Sequence, residues 1–599
     1  TISAILTKEP LPLARYSTNV PEALEWVVRK ALRKGREERY QGMKEMLNDL
    51  STLRQQVEFE AALERSNSSS SGETRATSSG GQHGVKTTAE PGAEPSAERT
   101  ATETKPRSRR AVIAVAAAAL LALTVAVAYF AYSRYYATGG AGAIRSIAVL
   151  PFANTGNNPD AEYLSDGISE SLINSLSQLP GVKVIARSSS FKYKGKEVDP
   201  QEVARTLSVA GILTGRVAQR GDNLLISVEL VDARDKTQVW GEQYNRKATD
   251  LLAVQAEISR EIAEKLRLRL TAGEQKQLAR RETVNPQAYE LLLKGRFYQS
   301  KGGTENRKKA VELFQQAIAV DPSYALAYAT LSSSYSRLVN NNLLDPKEYL
   351  PRAEDAARRA LELDEGLAQA HLAMAHIKSY AWDWAAAERE HKRAIELSPN
   401  LAAAHSSYFF YLGIRGRYEQ AIVEAKLARE LDPLSPDANA AVVYGLILAH
   451  QYDQAIEAAK KLLEQDRSNP EWHDLLGGTY AAKGQYTEAI AAYQEAIRLG
   501  DDSPDLQVVL GAAYAKAGER EKAQAILKRL ETGKEYISPF GLAILQAALG
   551  EREQALASLE RAYAAHDQQL VWLGVEDGLD PLRPDPRFQD LMRRVGLAA

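Results

Sequence analysis

The chain of 599 residues contains no cysteine. That absence excludes thiol nucleophiles, thiolate metal sites and disulfides, and it leaves the redox compartment open, because a zero count suits either one. An excess of one charge is missing too: 75 Lys and Arg stand against 77 Asp and Glu, a formal net charge of -2. With no basic stripe interleaved with aromatics either, nothing in the charge pattern favours nucleic acid as a partner. Lone carboxylates abound, but none are paired in a pattern that suits general acid–base catalysis. No catalytic, cofactor-binding or metal-binding residue is therefore assigned. The chain also lacks an initiator methionine, beginning at Thr1, and is expected to be a fragment of a longer protein. At this length several domains are expected rather than one core.

What the chain does have is a spacing. Ala353, Ala387, Ala421, Ala455, Ala489 and Ala523 stand 34 residues apart, and Ala360, Ala394, Ala428 and Ala496 keep the same phase seven residues later. Tyr418, Tyr452 and Tyr486 follow that period, as do Gly416, Gly484 and Gly518, while Pro399 and Pro433 close their units. Small residues where two helices cross, an aromatic in the second helix and a closing proline resemble the tetratricopeptide repeat. The resemblance implies an all-α solenoid that binds proteins and does no chemistry. About eight repeats are expected over 285–570, with a C-terminal cap over 571–599. Between Ala310 and Ala353 the interval is 43 instead of 34, and the extra chain near Arg337 to Leu350 is expected to bulge as a loop. After the seventh unit the spacing slips to 32 at Ala555.

His371, His405 and His473 fall at one repeat position, so repeat phase explains them better than a metal does. In tetratricopeptide repeats the first helix of each unit lines a concave groove. The resemblance thus places His376, Tyr380, Phe410 and Tyr444 there as candidate partner-binding residues. The competing reading buries them against the neighbouring helix.

Residues 144–270 read as an α/β domain. Ser146 to Leu150 suits a strand buried on both faces, Tyr163 to Leu179 a helix, Val182 to Ala186 a strand and Pro200 to Leu207 a second helix. Gly211 to Tyr244 alternates with period two, with turns at Arg220-Gly221-Asp222-Asn223 and Ala233-Arg234-Asp235-Lys236. The segments IAVLPF, YLSDGISESLINSLSQL and GILTGRV…ISVELVDARDKTQVWGEQY together resemble the TolB-like amino-terminal domain. That domain often precedes tetratricopeptide repeats in bacterial chains whose other end is a kinase, a cyclase or a winged-helix DNA-binding domain. Ser165, Asp166 and Gly167 are read as a helix-start cap and turn rather than a phosphate loop, and Trp240 and Tyr244 as packing.

Ala111 to Ser133 is the one long apolar run and carries no charge. At about 1.5 Å per residue it is long enough for one transmembrane helix. Lys105, Arg107, Arg109 and Arg110 precede it, which puts the N-terminus in the cytoplasm and the C-terminal domains outside. Residues 61–110 are rich in Ser, Thr, Gly, Glu and Pro and are expected to form a disordered linker. Within residues 1–60, PEALEWVVRKALRKGREERYQGMKEMLNDL is similar to the last helices of bacterial serine/threonine protein kinases. The resemblance makes Arg39 the arginine that pairs with the glutamate closing the activation segment. That glutamate is not in this chain, and GxGxxG, VAIK, HRD, DFG and APE are absent as well, so ATP and Mg belong only to a missing kinase part.

The expected architecture is therefore multi-domain: a helical remnant of a kinase C-lobe, one transmembrane helix, a TolB-like α/β domain and an all-α repeat solenoid. The expected function is the extracytoplasmic, protein-binding sensor portion of a membrane-anchored bacterial serine/threonine kinase in the inner membrane. Protein or peptide partners would bind the repeat groove, and the bilayer residues 111–133. The alternative is a non-catalytic membrane-anchored scaffold for envelope complexes. The chain as it stands is read as not an enzyme.

Overall fold

The computed structural model describes residues 30, 144–156, 162–266, 271, 283, 285–340, 343–533 and 537–597. Two compact units divide the chain, Thr1–Ala114 and Val115–Ala599. In the first, Lys30 alone is described, in a helix. The kinase-like stretch with Arg39, the linker 61–110 and the apolar run Ala111 to Ser133 thus lie outside the described residues. Among the described residues, no helix is long and apolar enough to cross a membrane.

The second unit opens with a mixed sheet. In β1 (Ser146–Val149), Ile147 and Val149 turn to one core, and Ala148 to another, so the strand is buried on both faces as its unbroken apolar run predicts. It runs parallel to β3 (Lys183–Val184) on one side and to β4 (Gly211–Arg220) on the other. A two-residue strand, β2 (Ala153–Asn154), also pairs with β4. Parallel neighbours need crossovers. These are α1 (Glu162–Ser177) on one face, and α2 (Arg187–Ser190) with α3 (Pro200–Leu207) leading into β4. Then β4, β5 (Asn223–Asp232) and β6 (Thr237–Lys247) pair antiparallel. The period-two pattern decides their orientation: Leu224, Ile226, Val228 and Leu230 are fully buried against α1 and α4 (Leu251–Lys265), and Trp240 and Tyr244 join them as packing residues.

The repeats follow as helix pairs. These are α5 (Pro286–Lys301) with α6 (Thr304–Val320), α7 (Ala325–Asn340) with α8 (Pro346–Leu363), α9 (Ala368–Tyr380) with α10 (Trp384–Leu397), and α11 (Ala402–Ile414) with α12 (Tyr418–Leu431). Next come α13 (Pro436–Leu448) with α14 (Tyr452–Gln465), α15 (Pro470–Ala482) with α16 (Tyr486–Arg498), α17 (Pro504–Lys516) with α18 (Arg520–Thr532), and α19 (Pro539–Ala548) with α20 (Arg552–Ala564). Every alanine of the 34-residue row, from Ala353 to Ala523 and on to Ala555, is fully buried where the two helices of its pair cross. A larger side chain at any of them would force the pair apart.

Where it is described, the insertion after the first pair is largely helical rather than a loop. It lengthens α7 and α8 to 16 and 18 residues, against 13 and 14 in the next pair. The reason is burial: Leu338 and Val339 are core residues, and Tyr349 meets Tyr335 edge-on at 5.4 Å. The added apolar chain is better buried as two extra helical turns than exposed as a loop.

Sheet and repeats share one core. Gly167 in α1 is buried, and a Cβ there would lie 2.7 Å from Leu293 of α5, so the glycine permits this close approach. Ser165, Asp166 and Gly167 are therefore interior residues of a helix, with Asp166 paired to Lys194. Farther along, the loops that close later repeats reach back to the sheet. The Asn400 amide donates to the carbonyls of Ser177, Leu179 and Val182, at 3.4, 3.2 and 2.9 Å. Ala186 N–H donates to Leu431 O at 2.8 Å, and the Asp432 carboxylate accepts from Ser188 and Ser189.

Asn400→Ala leaves three sheet-domain carbonyls without this donor and is expected to destabilise the second unit by about 1–3 kcal/mol. Chemical denaturation of the full chain, followed by tryptophan fluorescence, measures it; an unchanged midpoint would mean that the repeats do not hold the sheet domain through this side chain.

Candidate partner-binding groove

First helices of neighbouring repeats touch one another, as α7 and α9, α11 and α13, and α13 and α15 do, whereas their second helices contact each other far less. The array therefore curves with the first helices inside. The residues one repeat apart on that inner side are His376, Phe410, Tyr444 and Gly478.

Among the described residues, five large hydrophobic side chains are exposed, and the only aromatics of the five are Phe410 at 40% and Tyr444 at 43%. At both positions a large part of the ring is open to solvent. His376 and Tyr380 differ. Each is half-buried and tied to the first helix of a neighbouring repeat, His376 by its Nε2 to the Ser407 hydroxyl of α11 and Tyr380 by its hydroxyl, which accepts from Asn340 of α7. They belong to the wall of the groove rather than to its free surface. Burial, with Arg337 nearby, holds the His376 imidazole down at about 4, so it is neutral at pH 7.

His371 and His405 show what the shared phase means. His371 bridges Glu390, at 2.6 Å from Nδ1, and the Glu365 carbonyl, at 2.8 Å from Nε2. His405 repeats the arrangement with Glu424 at 2.6 Å and the Pro399 carbonyl at 3.0 Å. His473 keeps only the loop contact, to the Arg467 carbonyl at 3.0 Å. His371 and His405 each tie the helix pair of their own unit to the preceding loop.

Sequence reasoning missed the return of the C-terminus. After α20 the chain forms two 3-10 helices, Gln568–Gly574 and Asp577–Leu582, and a last helix, α21 (Pro586–Arg594). Leu570, Leu573, Leu579, Leu582, Phe588 and Leu591 of this segment are buried in the core that also holds Phe409, Tyr411 and Trp384. The Trp384 indole donates to Val595 O at 2.8 Å, and Arg415 to Gly596 O at 2.9 Å. The His566 ring bonds Tyr380 O at 2.9 Å, and Trp572 meets Phe410 edge-on at 6.1 Å. The segment thus closes the array from its last unit onto α9, α10 and α11, and it forms the second wall of the groove.

Backbone conformation marks the same seam. The turn inside several pairs uses a left-handed residue, and Gly416, Gly484, Gly518 and Gly550 supply it with φ of 69, 82, 86 and 77°. At the equivalent places stand Trp382 and His450, with φ of 58 and 56°. A non-glycine side chain there costs about 1–2 kcal/mol. Trp382 offsets the cost by stacking on Tyr563 at 5.2 Å and packing on His566 at 4.2 Å. The strain is spent on holding the returning segment.

Electrostatically the groove is acidic. Burial first, then Asp501, Asp505 and Glu471, push the Asp474 carboxyl up to about 6. Partial burial first, then Asp474 and Glu471, raise the Tyr444 phenol. Burial and the neighbouring Asp577 and Asp580 also raise Glu576, against the pull of the Gly578 N–H. Burial first, then Asp474, Tyr444 and Glu576, raise the Tyr493 phenol.

Comparison with known proteins fits this architecture. Two family models of tetratricopeptide repeats match residues 414–477 and 477–518, and the C-terminal part of the chain is a tetratricopeptide-repeat array. Residues 143–261 match the second domain of HilA/YgeH-like transcriptional regulators. A Rhizobium meliloti protein named "Putative adenylate cyclase 3" is 35% identical over 247 residues, which are 41% of this chain and 42% of that one. The chain thus spans well under half of that relative. Among solved structures, a tetratricopeptide repeat protein from Parabacteroides merdae is 14% identical, with 45% of this chain and 99% of that chain covered and a TM-score of 0.35. PilF of Pseudomonas aeruginosa is 18% identical, with 46% and 98% covered and a TM-score of 0.24.

Glycine at the two strained turns is expected to act with unequal effect. Trp382→Gly removes the stack as well as the strain and should destabilise the second unit by about 1–3 kcal/mol. His450→Gly loses mainly exposed contacts and should stay within about 1 kcal/mol of the parent. Thermal melts of both variants test this, and equal losses would show that Trp382 does not anchor the returning segment.

Proposed function

We infer that this chain is the protein-binding, signal-receiving part of a membrane-anchored bacterial serine/threonine protein kinase. The observation that supports the binding role is the pair of exposed aromatics, Phe410 and Tyr444, one repeat apart on the inner side of a repeat array. Isolated exposed hydrophobics need no explanation, but two aromatics in register inside a concavity have the form of peptide anchors. The kinase assignment rests on the resemblance within residues 1–60, and the anchor on the uncharged run Ala111 to Ser133. In this reading a partner bound outside the membrane changes the state of a kinase inside it, and the chain as it stands performs no catalysis and needs no cofactor.

The relative named as an adenylate cyclase favours a second reading. There the same sheet and repeat module serves a cyclase instead of a kinase. Coding sequence upstream of Thr1 distinguishes them: HRD and DFG motifs support the first reading, and a cyclase domain the second.

Phe410→Ala and Tyr444→Ala are each expected to weaken capture of the native partner by about 1–2 kcal/mol or more. The thermal midpoint should hold, because neither ring is in the core. Quantitative pull-down from the source cell envelope, beside melts of the same variants, checks both; undiminished capture removes the aromatics from the binding site.

Topology is tested separately. A reporter active only in the cytoplasm should work when fused near Glu90 and stay silent near Gly273. Activity at both positions would remove the membrane span, and the reverse pattern would invert it.

A further inference from the structure

The charges along the groove have one sign. The first helices of three consecutive repeats, α11, α13 and α15, contain no Lys or Arg, and their charged residues are Asp437, Glu471 and Asp474. The facing segment, from Gln568 to Leu582, also contains no Lys or Arg and carries Glu576, Asp577 and Asp580. Arg583 follows it, but its guanidinium is committed to Asp580 and to the carbonyls of Gly574 and Glu576. Among the described residues, no ion pair is recorded for Glu471, Asp474 or Glu576, although surface carboxylates elsewhere in the array are widely paired.

Shape accompanies charge. Beyond Phe410 and Tyr444 the next residue in the row is Gly478, so the position that holds an aromatic ring in two repeats is vacant in the third. A Cβ at Gly478 would stand 3.8 Å from the Tyr493 hydroxyl, while the neighbouring Gly477 is filled by the Tyr493 ring at 2.5 Å. The row therefore passes from two exposed rings to a position without a side chain, on the same helix as Glu471 and Asp474. Half-buried carboxylates without a cation favour a ligand that brings one, and aromatic faces add to the attraction of a cation.

We propose that this groove binds a basic protein segment, with Lys or Arg side chains against Glu471, Asp474 and Glu576 and an apolar side chain between Phe410 and Tyr444. The proposal rests on the reading of the repeats as the protein-binding part and specifies the chemistry of the partner. The carboxylates supply selection by sign, and the rings supply contact area.

The test uses the full chain in detergent and three fluorescein-labelled dodecapeptides of one design, built from Leu and Gly with Arg, Gln or Glu at the remaining positions. Fluorescence anisotropy should show the Arg peptide bound about tenfold or more tightly than the Gln peptide, with the difference shrinking as salt rises. Asp474→Asn combined with Glu471→Gln should abolish most of that preference, Phe410→Ala should weaken both peptides, and Glu471→Lys with Asp474→Lys should turn the preference to the Glu peptide. Equal binding of all three peptides that still depends on Phe410 would overturn the basic-partner proposal and leave the groove as a protein-binding site. Arg-peptide binding insensitive to Phe410, Glu471 and Asp474 would place the site elsewhere, and no preference for the Arg peptide at all would overturn the proposal directly. Circular dichroism of each variant, matched to the parent, secures the comparison.

Discussion

The distance between paired helices governs this molecule, and that distance is fixed by a row of alanines without exposed surface. From Ala353 to Ala555 each removes the side chain that would hold two helices apart, and the second row, Ala360, Ala394, Ala428 and Ala496, repeats the device two turns later. Close crossing leaves the first helices of successive pairs in contact and the second helices splayed. Curvature follows from that inequality, and the inner surface follows from the curvature. Phe410 and Tyr444 share a face because the register is strict, not because they touch each other.

Curvature alone would leave an open superhelix. Here two further sets of contacts close it, and both use positions that the repeat supplies for other ends. The aspartate at the end of a unit usually caps its own loop, as Asp321 does for Ser323, Asp364 for Gly366 and Asp466 for Ser468. Asp432 turns outward instead and accepts from Ser188 and Ser189 of the sheet domain. The left-handed turn position, glycine at 416, 484, 518 and 550, becomes Trp382 where the C-terminal segment must be held. A groove closed in this way has little freedom left to lose on binding, which favours affinity for a ligand that fits it.

Much of this was legible in the sequence. Alternation set the faces of β5, an unbroken apolar run marked β1, and equal spacing of His371 and His405 identified them as parts of the repeat; the structure bears out each, with Trp240 and Tyr244 as packing. The candidate groove residues divided: Phe410 and Tyr444 are open, while His376 and Tyr380 are wall, because hydrogen bonds to the adjacent helix depend on which polar residue the neighbour presents. The lengthened pair at α7 and α8 was misjudged as a loop, since spacing counts residues and not the burial of Leu338 and Val339. Docking through Asn400 and the return of residues 568–597 were invisible, for they join positions more than 180 residues apart and leave no periodic trace. One signal was available and unused: the absence of Lys and Arg from three consecutive first helices.

That absence bears on how a repeat array acquires a specific partner. The buried positions of each unit are constrained by packing, so little can change at Ala421 or Ala455 without moving the helices they separate. The inner row is released from that constraint, and it carries a neutral histidine at 376, rings at 410 and 444 and no side chain at 478. Four equivalent places thus present four chemistries along one line. Net charge gives no hint of it, since the whole chain is nearly balanced. What matters is that, among the described residues, Glu471, Asp474 and Glu576 inside the curve lack the lysines and arginines that neutralise acids on its outside, as Arg587 does for Glu553 and Lys461 for Glu457. Separation of paired from unpaired carboxylates between the two surfaces gives the groove a field of its own, in a concavity whose walls keep solvent from screening it fully.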